Sequence, residues 1–357
     1  MCNQLMNAVC AVAAICSLPL LAVESVGVPS LTITDGQEKD WDDYSSLVRN
    51  NCSGTLIAGK WVLTAAHCYF HLDHDNPGIS VYVNYRGERD AIDVLRLNIH
   101  PAYTTVAVDV ALWELDGLHT TDQAFFLSKR ELDHGELVGV HGFGGGRFGV
   151  SAMEVDRFTD SYEFSFHVLN LGSGGTTGGD SGGPYIDSEG YIVATHLGRY
   201  DGTRSVGSML APSQVWGFVL DTIDGWHFPT VAMVTGTAEV AVQSLHLNGA
   251  VDAAYTDGDA VIVGGTCLDV DAIDPFDVCT YVVQSDGGEG ALMLSDSEVI
   301  RVNPQFDNSD GDGNTGDGDG NTGDGGGNTG GSSGGGSLGF LSLFGMLALA
   351  GLRRLRR

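Results

Sequence analysis

From residue 33 to about residue 226 the chain consists of short β-type runs broken by turn residues, and this spacing constrains the fold more than any other feature. Trp61–Ala65, Ile79–Tyr85, Val108–Leu115, Leu137–Val140 and Tyr191–Thr195 are such runs, each only a few residues long. Repeated short strands with glycine-rich turns between them read as an all-β barrel or sandwich. One helix is expected, over Pro212–Ile223, with Val215, Phe218 and Val219 on one face, and it would end this first domain.

Residues 228–305 read as a second, smaller β domain. Val231–Met233, Ala238–Val242, Ala260–Val263 and Thr280–Val283 are its candidate strands, separated by Asp-Gly and Gly-Gly turns, and an immunoglobulin-like sandwich is expected. Residues 307–337 read as a flexible linker, because a Gly/Asp/Asn-rich repeat has too little apolar surface to offset the entropy of ordering it. Asp310, Asp312 and Asn314 match three positions of a calcium loop. Thr315 stands where that loop requires glycine and Asn321 where it requires glutamate, so a solvated acidic linker is the better reading. Leu338–Leu352 is an apolar run of fifteen residues followed by Arg353-Arg354-Leu355-Arg356-Arg357. Fifteen is short of the ~20 residues of a full span, and the arginines would stay on the cytoplasmic side.

Charge excludes one class of partner. The formal net charge is −29, so no basic footprint exists to neutralise the phosphates of a nucleic acid. The N-terminus, residues 1–22, reads as a signal peptide: Leu5–Val23 is largely apolar and Ala22 suits a cleavage site, although Met1–Asn7 lacks the usual positive charge. Cysteine usage fits export. Cys2, Cys10 and Cys16 would leave with the signal, and Cys52, Cys68, Cys267 and Cys279 remain as an even set. Four cysteines allow three pairings, and the residues alone do not choose among them.

Three segments carry chemistry. Gly178–Pro184 reads GGDSGGP, Thr64–Cys68 reads TAAHC, and Asp109–Leu115 reads DVALWEL. A serine hydroxyl is a poor nucleophile; it needs a general base, and the oxyanion it creates needs hydrogen-bond donors. Glycines let the backbone approach a substrate and turn amides toward that oxygen, here those of Gly179 and Ser181. His71 and His74 lie in a stretch reading HLDHD with no further ligand cluster, and are taken as a polar loop; no metal or cofactor is expected.

Taken in order, these segments resemble the His, Asp and Ser blocks of the chymotrypsin/trypsin family of serine proteases, over roughly residues 33–226. The resemblance implies two packed six-stranded β-barrels with the site between them, and hydrolysis of protein or peptide substrates. It implies His67 as general base, Asp109 as the residue orienting it, and Ser181 as nucleophile. It also implies the disulfide Cys52–Cys68; proximity then favours Cys267–Cys279 for the other pair. In this family a cut frees an amine that pairs with the Asp before the serine. Ile33-Thr34-Asp35-Gly36 resembles that start and Asp180 its partner, leaving a pro-segment of residues 23–32. Thr32 precedes the cut where a trypsin-activated zymogen has Lys or Arg.

The specificity pocket departs from trypsin. Gly175 stands where trypsin has its aspartate, and Thr177 replaces a pocket cysteine. Thr176, five residues before Ser181, and His196, fifteen after it, resemble the pair that binds acidic residues in glutamyl endopeptidases; Gly198 completes the expected lining. Acidic P1 residues and small or apolar ones stay open as alternatives. Residues 330–357 resemble the GlyGly-CTERM sorting signal of Gram-negative bacteria, which implies type II secretion, a rhomboid-type sorting peptidase and a secreted or surface location by way of a transient membrane-anchored form. The rival from another class is a protease-like scaffold that binds partners through residues 228–305 and catalyses nothing.

Overall fold

The computed structural model describes residues 24–26, 37–106, 108–158, 164–171 and 175–306. The expected signal peptide, most of the pro-segment, Ile33, the linker and the apolar tail lie outside the described residues. Among the described residues no helix is long and apolar enough to cross a membrane.

Six strands close the first barrel: β1 (Leu47–Arg49), β2 (Ser53–Ile57), β3 (Trp61–Thr64), β4 (Ser80–Tyr85), β5 (Glu88–Ile99) and β6 (Ala111–Leu115). They run in the order β1-β2-β3-β6-β5-β4, with β4 returning to β1. Strands β2, β3 and β6 are buried on both faces for a physical reason. Side chains alternate across a strand. Leu56, Val62 and Trp113 fill the barrel, while Ile57, Leu63 and Leu112 face outward into a second core. Each fully buried Leu, Ile or Val contributes roughly 1.5–3 kcal/mol relative to exposure. The longest strand, β5, is also the least obvious in the sequence. It is mostly exposed and carries five charged residues among its twelve, and a bulge between Val94 and Arg96 breaks its alternation.

The second barrel comprises β7 (Leu137–Gly142), β8 (Gly149–Phe158), β9 (Ser165–Asn170), β10 (Pro184–Asp187), β11 (Ile192–Arg199) and β12 (Arg204–Met209). Its order is β9-β12-β11-β10-β7-β8, and the β8–β9 pairing closes it. Val140, Met153, Phe166, Val168 and Tyr185 fill it. The expected pair of six-stranded barrels is therefore present. Between the barrels lies one shared core of Leu63, Leu112, Phe125, Phe143 and Ile192, and the helix Ser213–Ile223 adds Val215, Val219 and Leu220 to it.

Residues 226–302 form two sheets. One holds β13 (Trp226–His227), β15 (Gly236–Ser244), β17 (Val261–Gly264) and β18 (Val278–Ser285); residues 24–26 pair parallel to β15 at its side. The other holds β14 (Val231–Ala232), β16 (Tyr255–Gly258), β19 (Gly290–Met293) and β20 (Val299–Val302). Phe228, Val240, Tyr281, Leu292 and Ile300 fill the sandwich, and Cys267–Cys279 is a disulfide.

The sandwich is mortised to the barrels by buried polar groups. His227 Nδ1 accepts from the Ala58 amide at 3.0 Å, and its Nε2–H donates to the Phe125 carbonyl at 3.0 Å. The Gln243 amide accepts from the Leu127 amide and donates to its carbonyl, at 2.9 and 2.7 Å. Burial pushes the His227 pKa down to about 4, so the imidazole is neutral and its tautomer is set by these partners.

Candidate active site

His67 sits in a single 3₁₀ turn, Ala66–Cys68, that follows β3 directly. The Cys52–Cys68 disulfide ties that turn to the residue before β2. Asp109 lies just before β6, and β6 pairs with β3, so the two segments run side by side. The carboxylate of Asp109 is 3% exposed and makes two hydrogen bonds to one residue. Its Oδ1 accepts from the His67 backbone amide at 2.8 Å, and its Oδ2 accepts from the ring Nδ1–H at 2.6 Å. An ionised carboxylate only accepts, which fixes the proton on Nδ1 and leaves Nε2 with a free lone pair. The contact with Asp109 raises the His67 pKa above 6.5, against the opposing effect of desolvation.

Ser181 lies on a turn of the second barrel, and glycines bring that turn against the first. Gly182 has φ +81°, in the region that favours glycine. A Cβ there would stand 2.0 Å from Thr64 Oγ1, 2.4 Å from the Ser53 carbonyl and 2.7 Å from the Ala65 amide. At Gly183 a Cβ would stand 2.0 Å from the His141 carbonyl. The Ser53 amide donates to the Ser181 carbonyl at 2.7 Å, and the Gly182 amide donates to the His196 carbonyl at 2.7 Å. Backbone thus meets backbone across the two barrels, three residues from His67. The Ser181 turn therefore abuts the end of the strand that leads into His67, through Gly182 against Thr64 and Ala65.

Asp180 points the other way. Its Oδ1 accepts from the Gly144 amide at 2.6 Å and its Oδ2 from the Thr177 amide at 2.8 Å. Burial raises its pKa, and these two donors oppose the shift. The carboxylate faces a cavity of about 200 Å³ lined also by Glu38, Gly142, Val150 and Thr177. Strand Gln37–Glu38 pairs with Val150 and Gly149 at the rim of that cavity. The expected new N-terminus, Ile33, lies outside the described residues.

Of the expected specificity residues, Thr176 and His196 are buried and already hydrogen-bonded to neighbours that sequence reasoning missed, whereas Gly175 is exposed and Gly198 half-buried. Thr176 Oγ1 and Ser205 Oγ are 2.7 Å apart, and Ser205 Oγ donates to Asn170 Oδ1 at 3.3 Å. His196 Nδ1 is 2.9 Å from the Tyr185 hydroxyl. Desolvation first, and the nearby His67 second, push the His196 pKa down to about 3. Strand β12 brings these groups together: Ser205 stands two residues from Gly207, the register partner of His196, so both lie on one face. Gly175 borders Asn170, whose Nδ2 would lie 3.0 Å from a Cβ there. No spacing rule ties Asn170 or Ser205 to Ser181; only the barrel does. Among the described residues the one cluster with metal-ligand spacing is Cys52, His67 and Cys68, and both of its sulfurs are in the disulfide.

The chain is similar to known serine proteases. The family model for trypsin matches residues 34–214. A trypsin of Phaedon cochleariae is 26% identical over 194 residues, which is 44% of this chain and 75% of that protein. Serine protease SP24D of Anopheles gambiae is 29% identical over 188 residues, 45% of this chain and 68% of the relative. Among solved structures, the Vibrio cholerae VesB protease superposes with a TM-score of 0.45 at 16% identity, covering 76% of this chain and 99% of that one.

Proposed function

Since the chain belongs to the trypsin family and is a serine endopeptidase, we propose that Ser181, His67 and Asp109 are its catalytic triad. The observation that carries this is the pair of hydrogen bonds from His67 to Asp109, which leaves Nε2 as the proton acceptor. His67 Nε2 takes the hydroxyl proton as Ser181 Oγ attacks the scissile carbonyl. The amides of Gly179 and Ser181 receive the oxyanion. His67 then gives the proton to the leaving amine, and water repeats the sequence to release the acyl group. Protonated His67 cannot act as base, so kcat/KM falls as pH drops through its raised pKa.

Activation follows from Asp180. A cut before Ile33 frees an amine only four residues from Gln37, about 13 Å of extended chain. The Asp180 cavity is a nearby place where that amine would meet a half-buried carboxylate. Export and removal of the tail, by type II secretion and a rhomboid-type peptidase, remain part of the proposal on the sequence features alone.

At P1 the reading is an acidic residue. Thr176, Ser205, Asn170, His196 and Tyr185 are uncharged groups that hydrogen-bond, and an apolar P1 side chain would offer them nothing. With Tyr185 donating to Nδ1, neutral His196 presents Nε2–H to a substrate carboxylate. Peptides differing only at P1 test this. A Glu substrate is expected to exceed its Ala counterpart, and His196→Ala to cut kcat/KM for Glu roughly 10- to 100-fold, the scale of one hydrogen bond to a charged group. Equal losses on both substrates, or a wild-type preference for Ala, would leave small P1 residues as the correct reading.

A further inference from the structure

The hydroxyl of Ser53 takes no part in the proton transfers above, yet it sits at the crossing of three segments. Ser53 opens β2 in the first barrel and is 3% exposed. Its Oγ–H donates to the Gly179 carbonyl at 2.7 Å. The same oxygen accepts from the Phe143 amide at 2.9 Å. The neighbouring amide, of Gly144, donates to Asp180. One buried hydroxyl therefore bridges the 143–144 turn to Gly179, whose own amide is assigned above to the oxyanion.

The Ser53 backbone already holds the Ser181 carbonyl, so the side chain adds a second tether two residues earlier on the same turn. Gly179 has φ +103°, a conformation with no side chain to brace it. Glycine is the residue least restrained by its own sterics, and so depends most on what holds its carbonyl. Oxyanion stabilisation rests on donors fixed in advance, because reorienting a dipole during the reaction forfeits most of its benefit.

We propose that Ser53 is a positioning residue that sets the Gly179 peptide, and through it the oxyanion-binding amide, and couples it to the 143–144 turn that Asp180 grips. This rests on the serine endopeptidase reading. Removing the hydroxyl leaves the Phe143 amide and the Gly179 carbonyl without their partner and frees the glycine to rotate. The loss falls on the transition state, since the ground-state carbonyl binds the hole weakly.

The test uses the processed full chain, wild type against Ser53→Ala. We expect kcat to fall roughly 10- to 100-fold, a part of the 10²- to 10³-fold lost when an oxyanion donor itself is removed, with KM changed less than about twofold. A peptide aldehyde, which forms the oxyanion, should lose affinity in parallel with kcat/KM, while a product peptide, which does not, should bind as before. Ser53→Thr, which keeps the hydroxyl, should retain most activity. Should Ser53→Ala fail to fold, Ser53→Cys, a far weaker donor, should fall well below Ser53→Thr. Unchanged kcat with raised KM, unchanged aldehyde affinity, or equal activity of the Thr and Cys variants would overturn the role of Ser53. A wild-type protein that hydrolyses nothing would instead overturn the endopeptidase reading, and this inference with it.

Discussion

Asp109→Asn is expected to lower kcat by about 10⁴-fold, the scale known for the same change in well-studied triads, while leaving the fold intact. The reason lies in the two bonds from this carboxylate to His67. Both of its oxygens accept, one from the backbone amide at 2.8 Å and one from Nδ1–H at 2.6 Å. Asparagine has one acceptor and one donor. If its oxygen keeps the backbone amide, its NH₂ faces Nδ1, and the ring can satisfy it only by moving its proton to Nε2. An imidazole protonated at Nε2 cannot take the serine proton. The wild-type enzyme should lose activity in acid with a midpoint above 6.5, because the Asp109 contact raises the His67 pKa. The variant should lose that raised midpoint with its rate. Steady-state kinetics from pH 5 to 9 read both effects, and a variant within tenfold of wild type would show that Asp109 does not hold the tautomer.

Gly182→Ala should be nearly as severe by an entirely different route. The added methyl carbon would overlap Thr64 Oγ1 and approach the Ser53 carbonyl and Ala65 amide at 2.4 and 2.7 Å. Two of these neighbours are backbone and cannot rotate away. The positive φ adds its own cost for a residue with a Cβ. Together they should destabilise the protein by about 3 kcal/mol or more, at the upper end for overpacking. The structure can relieve the clash only by moving the Ser181 turn off the His67 segment, and a displacement near 1 Å costs about 10²-fold in rate. Urea unfolding and kcat measured on the same sample test the two halves. Wild-type stability together with wild-type rate would mean that the barrels do not meet at this glycine.

The legible and illegible parts of this chain divide along chain separation. His67, Asp109 and Ser181 could be read because each sits in a contiguous string of residues that constrain one another locally. Gly182 and Gly183 belong to such a string, and their reason for being glycine is visible only once Thr64 and His141 are seen beside them. Ser53 could not be read, since its partner Gly179 lies 126 residues away and a serine in a strand signals nothing. Ser205, 29 residues from Thr176 and 35 from Asn170, was hidden for the same reason; Tyr185 is only 11 residues from His196, and no motif pairs the two.

For the fold, the apolar runs of β3 and β6 announced themselves, and the largely exposed β5 did not. In the second region β15 and β18 were visible as apolar runs. Strands β16, β19 and β20, reading YTDG, GALM and VIRV, are too short and mixed to stand out. Residues 228–305 read as a domain of their own, and nothing in their sequence announces that Gln243 reaches Leu127, 116 residues earlier. Hydrophobic periodicity reports which face is buried, and it is silent about which polar group finds which partner.

The central claim is that Ser181 is a nucleophile activated by His67. Its most direct test is reaction of the processed protein with a fluorophosphonate, followed by peptide mass spectrometry. The account predicts one phosphonyl group per chain, located on Ser181, absent from Ser181→Ala and formed far more slowly in Asp109→Asn. No adduct on Ser181 in correctly processed protein, or labelling that persists undiminished in Ser181→Ala, would contradict it.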